Sequence, residues 1–350
     1  MGTTAADTRT GVPDEHASRT SEWSWLLRAL ALVAVFAVIA WARSRQVDIP
    51  FRDPHGKLFR AKIVSTLEML LLVIVADAFI RSFHRGATWR TPWHTLRERW
   101  TLQRSALILL ALVAYYVVYL CYRNLKSWDV LNAPKDDMLL RWDKWLFFGH
   151  SPAVLLHDLL GQDVAARALT TLYESFATLV TLALVAALAL APTARKAWVF
   201  VSSAMWAWIL GVGTYYLIPS LGPFHAAPAE FAGLTSTSIE TTQEKYVEQR
   251  AHLLAHPQAH DAFAQISAFA SLHCALAFLI FLMARYYGLR LVSWLLAVFL
   301  VGTLVATVYL GWHFAVDDVA GLAVAWVAFQ LGKLTVLGSG RVPRSTLSPP

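Results

Sequence analysis

Three side chains in the last third of the chain have the types and spacing for nucleophilic and acid–base chemistry. His313 and Asp317 stand four residues apart in "YLGWHFAVDDVAG", and His273 stands in "ISAFASLHCALAFLIF". Residues four apart share a helix face, so the Asp317 carboxylate is placed to accept a hydrogen bond from one imidazole nitrogen of His313. The other nitrogen is then unprotonated and points outward. An imidazole held in that way is a nucleophile, and a second histidine beside it can hand a proton to a leaving group. His273, His313 and Asp317 together predict phosphoryl transfer through a phosphohistidine, with neither metal nor cofactor required. Asp318 is the competing carboxylate, but adjacent helix positions are about 100° apart, which turns it toward a neighbouring helix or the interface.

The elements that must position these groups are membrane helices. Of 350 residues, 57% are hydrophobic and only 15% charged, with a mean hydropathy of +0.48. A soluble globule carries about 25% charged residues, so this chain is too apolar to cover a soluble surface. Fifteen Trp and eleven Tyr suit a protein with two membrane–water interfaces to anchor. Disorder, a coiled coil and a secreted disulfide scaffold are excluded. Cys121 and Cys274 both lie in apolar stretches, which predicts neither a disulfide framework nor a cysteine metal site. The net charge of +7, with basic residues beside apolar stretches, points to anionic lipid head groups and not to nucleic acid. The expected fold class is therefore an all-α polytopic membrane bundle.

A bilayer core requires about 20 mostly apolar helical residues. Eight stretches qualify, over 25–42, 63–80, 106–122, 168–190, 197–218, 266–285, 291–310 and 314–333. The first lacks a small-residue cleavage site and reads as an anchor. Residues 1–22 and 337–350 read as disordered tails, 23–104 as two spans with a basic loop, and 105–336 as a six-helix catalytic core. Within that core, 124–165 predicts one or two amphipathic helices lying in the interface. Residues 219–265 read as an outer loop, and loops of such length in a compact protein are usually functional or disordered. Lys and Arg divide almost evenly between the two sides, but 219–265 holds only Lys245 and Arg250. That favours an extracytoplasmic loop and cytoplasmic termini. With the last three spans antiparallel, the sixth and the eighth begin in the same leaflet, so connectivity alone places His273 and His313 on one side.

"ASLHCALA" and "YLGWHFAVDDVAG" resemble the second and third signature motifs of the type 2 phosphatidic acid phosphatase superfamily, and "YYLIPSLGPF" and "RWDKWLFFGHSP" resemble segments of its inositol phosphorylceramide synthase-like branch. The likeness covers roughly residues 106–333. It implies a six-helix core, with His313 as nucleophile, Asp317 orienting it, and His273 protonating the departing oxygen. It also implies that Ser271 contacts phosphate. The expected substrate is a lipid phosphate, with water or an alcohol as acceptor. The chain departs from the family pattern at Ala270, where many relatives have proline. It also lacks an Arg shortly before His313 and a K-x6-R-P first motif. Phosphate charge must still be balanced; Arg250, Lys245, Arg123 and Lys126 are the candidates, and Arg250 is the one selected. Tyr216 is expected to line the head-group pocket.

Two other groups of residues suggest different chemistry. His252, His256 and His260 recur every four residues and could offer three imidazoles to a metal, but Pro257 interrupts the helix that would align them, so a solvated loop is expected. Glu68, Asp77 and Glu174 lie within spans and would form the proton path of a transporter or flippase, the main rival to the enzymatic reading. An inactive family member with a binding role is the other rival.

Overall fold

The computed structural model describes residues 15–83 and 91–338, with side chains from residue 23 onward. Every regular element among them is helical: α1 (Glu15–Val47), α2 (Arg60–Phe83), α3 (Thr91–Arg99), α4 (Leu102–Asp129), α5 (Asp136–Leu146), α6 (Pro152–Leu160), α7 (Val164–Leu190), α8 (Ala194–Leu217), α9 (Pro223–Ala226), α10 (Ser238–Ala255), α11 (Leu272–Tyr286), α12 (Arg290–Tyr309) and α13 (Ala315–Leu337). Residues 1–14 and 339–350 of the expected tails lie outside the described residues. The helix α1 nevertheless begins at Glu15, within a stretch expected to be unstructured.

Seven described helices are long and apolar enough to cross a membrane: α1, α2, α4, α7, α8, α12 and α13. The expected span over 266–285 is different. Only α11, with 15 residues, is helical there, and 266–271 has no regular structure. A 15-residue helix is about 22 Å long, short of a hydrocarbon core of roughly 30 Å. A crossing at this point would have to include the irregular segment before α11.

Local chemistry closes the helix ends. The hydroxyls of Thr101 and Thr193 accept from the Arg104 and Lys196 amides, at 3.3 and 3.2 Å, capping α4 and α8. At the C-terminus of α7, Arg99 donates to the Leu190 carbonyl at 2.9 Å, and Arg104 donates to that of Ala191 at 2.7 Å. Cations there satisfy carbonyls that lack a helical partner and complement the helix dipole.

The helix α8 is the most enclosed of the seven and packs on α13 and α4, while α11 packs on α12 and α13. Lipid tails are as apolar as leucine, so close packing of small residues, rather than exclusion from water, drives such contacts. Ser202, Ser203, Ala204 and Ala207 supply the buried small face of α8.

Both long connections form helices. Between α4 and α7 lie α5 and α6. On α5 the residues Asp136, Leu139 and Asp143 recur at helical spacing on the buried face, while Trp142 and Trp145 are exposed. The expected outer loop 219–265 contains α10, 18 residues long. Thr237 caps its start, accepting from the Ile239 amide at 3.3 Å. Its end at Ala255, two residues before Pro257, follows from the exclusion of helical geometry just ahead of proline.

Candidate active site

The site forms where the start of α11 meets the turn between α12 and α13. Ser271 caps α11, its hydroxyl accepting from the Cys274 amide at 3.4 Å, and His273 is the second residue of that helix. His273 therefore sits at the helix end and not two turns inside it. His313 precedes Phe314, the N-cap of α13, and Asp317 occupies the third helical position. The pair faces across the first turn of α13, so the approach comes from Asp317 reaching back to the N-cap amide of Phe314 and not from a shared helix face. One carboxylate oxygen of Asp317 accepts from the Phe314 amide at 3.0 Å and lies 3.4 Å from His313 Nδ1. That spacing allows attraction but lacks hydrogen-bond geometry: neither His313 Nδ1 nor Asp317 Oδ1 has a hydrogen-bond partner among the described residues. On the other side of the ring, His313 Nε2 is 3.4 Å from His273 Nδ1. Tyr173 stacks on His273, with ring centres 4.4 Å apart, and Phe176 packs at 4.5 Å.

The two histidine-bearing segments are fastened together. The Ser271 amide donates to the Asp317 carbonyl at 3.0 Å. This requires glycine at 321, where an added Cβ would fall 2.3 Å from the Ser271 carbonyl oxygen. Asp318 turns toward α11 and α12: Cys274 Sγ donates to it at 2.9 Å, and Thr307 Oγ1 lies 2.8 Å from its other oxygen.

Two carboxylates that the sequence reading passed over brace the site from α5. Asp143 accepts from the amides of Ala315 and Val316, at 2.8 and 2.9 Å, and so caps α13 from outside its own chain segment. Asp136 accepts from the amides of Leu221 and Gly222, at 2.9 and 3.0 Å. Burial pushes both carboxyls above their ordinary range, and the donated amide hydrogen bonds pull the other way. Asp136 thereby fixes the "SLGPF" segment, which meets the turn between α12 and α13 where the Phe224 amide donates to the Gly311 carbonyl at 3.0 Å. Gly222 has φ +107°, and an added Cβ there would lie 2.7 Å from the Trp312 carbonyl oxygen. The signal was present in the sequence as two acids seven residues apart, spanning Leu139 on the face α5 buries.

His273 and His313 open onto a cavity of about 330 Å³, whose wall also includes Arg123 and Lys126 from α4, Tyr173 and Glu174 from α7, and Thr242 and Tyr246 from α10. Two expected substrate contacts lie elsewhere. Arg250 is on α10 but does not line the cavity. Tyr216 points away: its hydroxyl donates to the Leu125 carbonyl at 2.8 Å and its ring stacks beneath Arg43, while its neighbour Tyr215 faces the cavity. Ser271 is fully buried as a helix cap behind the cavity wall.

Among the described residues, no group of three His, Cys, Asp or Glu side chains is placed to hold a metal. The His252 and His256 rings are 5.5 Å apart, and His252 contacts Asp261 at 3.1 Å. The intramembrane acids have separate surroundings. Asp77 pairs with Arg81 at 2.8 Å and Arg99 at 3.6 Å, Glu174 accepts from Ser238 at 2.5 Å, and Glu68 is exposed on α2. Arg28 on α1 donates to the Thr335 carbonyl of α13 at 2.9 Å.

Comparison with known proteins adds one match. A family model described as the PAP2 superfamily aligns with residues 137–331, more than half of the chain. No curated protein and no solved structure matches. The matched residues run from α5 into α13 and contain all three of His273, His313 and Asp317. The chain therefore belongs to the PAP2 superfamily, whose members are generally membrane phosphatases and phosphotransferases.

Proposed function

We propose that the protein cleaves or transfers the phosphate of a lipid ester through a phosphohistidine on His313. The observation that carries this reading is the chain of contacts Asp317–His313–His273, both links 3.4 Å long, at the wall of a cavity. The Nε2 lone pair attacks phosphorus and the phosphorus–oxygen bond to the leaving group breaks. The departing alkoxide takes a proton from His273. Water, or an alcohol, then attacks phosphorus while His273 removes its proton, the phosphorus–nitrogen bond breaks with its electron pair returning to Nε2, and His313 is regenerated. Asp317 holds the imidazole and stabilises its positive charge. The unpartnered His313 Nδ1 and Asp317 Oδ1 support this role, because catalytic hydrogen bonds are often long before substrate binds and tighten afterwards.

A lipid substrate follows from depth. The site is at the start of the short helix α11, within reach of a head group whose tail stays in the hydrocarbon. The intermediate serves a phosphatase and a transferase equally, and water exclusion decides between them. The "SLGPF" and "RWDKW" segments favour the inositol phosphorylceramide synthase-like branch and hence transfer to an alcohol. The site then faces the extracytoplasmic side beneath α10.

Purified protein assayed in EDTA against phosphatidate, polyprenyl phosphates and phosphoinositides, following free phosphate and new lipids, tests this reading. Turnover should survive EDTA and vanish in His313→Ala. Phosphate release by His313→Ala at the wild-type rate would rule out the nucleophile. Loss of activity in EDTA would return attention to His252, His256 and His260. Glu68→Gln should leave turnover intact, whereas a transporter using that acid would lose its function.

A further inference from the structure

The chemistry above needs positive charge against the phosphate oxygens, and the sequence supplies it at neither expected place: the first family motif is missing and Arg250 lies off the cavity. We propose that Arg123 and Lys126, both on α4 and N-terminal to the family-matched residues, form the phosphate-binding pair of this protein. The proposal rests on the reading of the cavity as the phosphoryl-transfer site.

Residues three apart share a helix face, and these two line the cavity onto which His273 and His313 open. They are the only Lys or Arg among its lining residues. No ion pair joins either to a carboxylate among the described residues, although Asp129 acts on Lys126 through space. Asp129, three residues beyond Lys126, is engaged by Ser267 at 2.9 Å and by Asn132 at 3.0 Å. Glu174, the acidic group in the wall, is held by Ser238. Cations within a membrane protein are costly unless an anion meets them, and a bound phosphate would place one in direct contact with both.

The two cations are prepared differently. Arg123 is fixed: one Nη donates to the Gln265 side chain, the other to the Tyr119 hydroxyl at 3.1 Å, and the buried Nε has no partner. A guanidinium has five N–H donors, so the fork retains donors for a second acceptor and is already oriented. Lys126 makes a cation–π contact with Tyr215 at 5.2 Å and no hydrogen bond or ion pair among the described residues. Its ammonium can follow a phosphate as charge develops during transfer, whereas Arg123 orients the group. The ligand class is a phosphate group with at least two free oxygens, carried by a lipid or free in solution.

The test uses the full-length protein in detergent, with Lys126→Met, Lys126→Arg, Arg123→Gln and Lys57→Met, an exposed lysine ahead of α2. Two probes are followed: the KM for phosphatidate, and binding of inorganic phosphate measured by calorimetry and by competition. Losing a charged hydrogen bond to phosphate should raise both constants about 10- to 100-fold in Lys126→Met and Arg123→Gln. Lys126→Arg should recover most of the loss, and Lys57→Met should match wild type. Lys126→Met removes no hydrogen bond seen in the structure, so it decides the matter should Arg123→Gln fail to fold. Unchanged constants in a folded Lys126→Met protein would overturn the proposal. So would a rise for phosphatidate alone, since recognition would then not be of the phosphate. Calorimetry in a His313→Ala background separates this proposal from the nucleophile assignment. Phosphate binding that depends on Lys126 there supports the pair whether or not turnover is lost.

Discussion

Asp317 and Asp318 are adjacent, both buried and both acidic, yet their surroundings divide the work between them. Asp317 faces His313 and retains an oxygen without a partner, whereas both oxygens of Asp318 are engaged by Cys274 and Thr307. In the proposed mechanism the first arrangement meets the charge that forms on an imidazole, and the second joins three helices. Their amide variants should therefore fail differently. Asp317→Asn should lower kcat by about 10²- to 10⁴-fold with little change in KM, because the amide cannot stabilise the imidazolium; steady-state kinetics on phosphatidate reads this directly. Asp318→Asn should lower the thermal unfolding midpoint, by about 1–3 kcal/mol of stability for a disturbed buried network, while the surviving folded fraction keeps its KM. Equal effects of the two changes on kcat would contradict the division.

Helix ends, more than helix faces, hold the reacting groups. The N-termini of α11 and α13 meet at the Ser271–Asp317 hydrogen bond, and Asp143 reaches across from α5 to cap α13. Such a junction tolerates no added volume, because backbone lies on both sides of it. In Gly321→Ala the new methyl would fall 2.3 Å from a carbonyl oxygen, and no side chain there can rotate aside. Overpacking of this kind costs about 1–3 kcal/mol. Turnover should fall further than that stability loss implies, since parting the two helix ends separates His273 from His313. Melting curves in detergent beside single-turnover rates measure the two effects separately; a fully active Gly321→Ala enzyme would show that the junction is more pliant than its geometry indicates.

Across the whole molecule, the long helices α4, α7 and α8 and the short α11 line a cavity to whose wall α10 also contributes. The proposed orientation puts α10 outside the cell. Both native cysteines are buried, so the protein offers a quiet background for labelling. Glu248→Cys, at an exposed position on α10, should react with a membrane-impermeant maleimide in intact cells, and labelling only after lysis would reverse the orientation. With Lys and Arg divided evenly between the two sides, this measurement is more informative than charge counting.

The sequence alone determined the all-helical membrane architecture, the common leaflet of His273 and His313, and the selection of those histidines with Asp317. Hydropathy is a local property, and connectivity fixes which helix ends share a side, so neither required knowledge of packing. The rest depended on direction. Tyr215 and Tyr216 are sequence neighbours, but about 100° of helical rotation sends one into the cavity and the other toward Arg43. Nothing local marked Arg123 and Lys126 above Arg250, because the facing of α4 and α10 is set by their packing partners. The helix α10 was read as loop because its residues are polar, and such a helix is held by tertiary contacts and not by an apolar stripe. Asp143 was invisible as a cap because the amides it serves lie 172 and 173 positions away. Tertiary structure decided these features because each is a long-range meeting of groups that carry no sequence signal for one another.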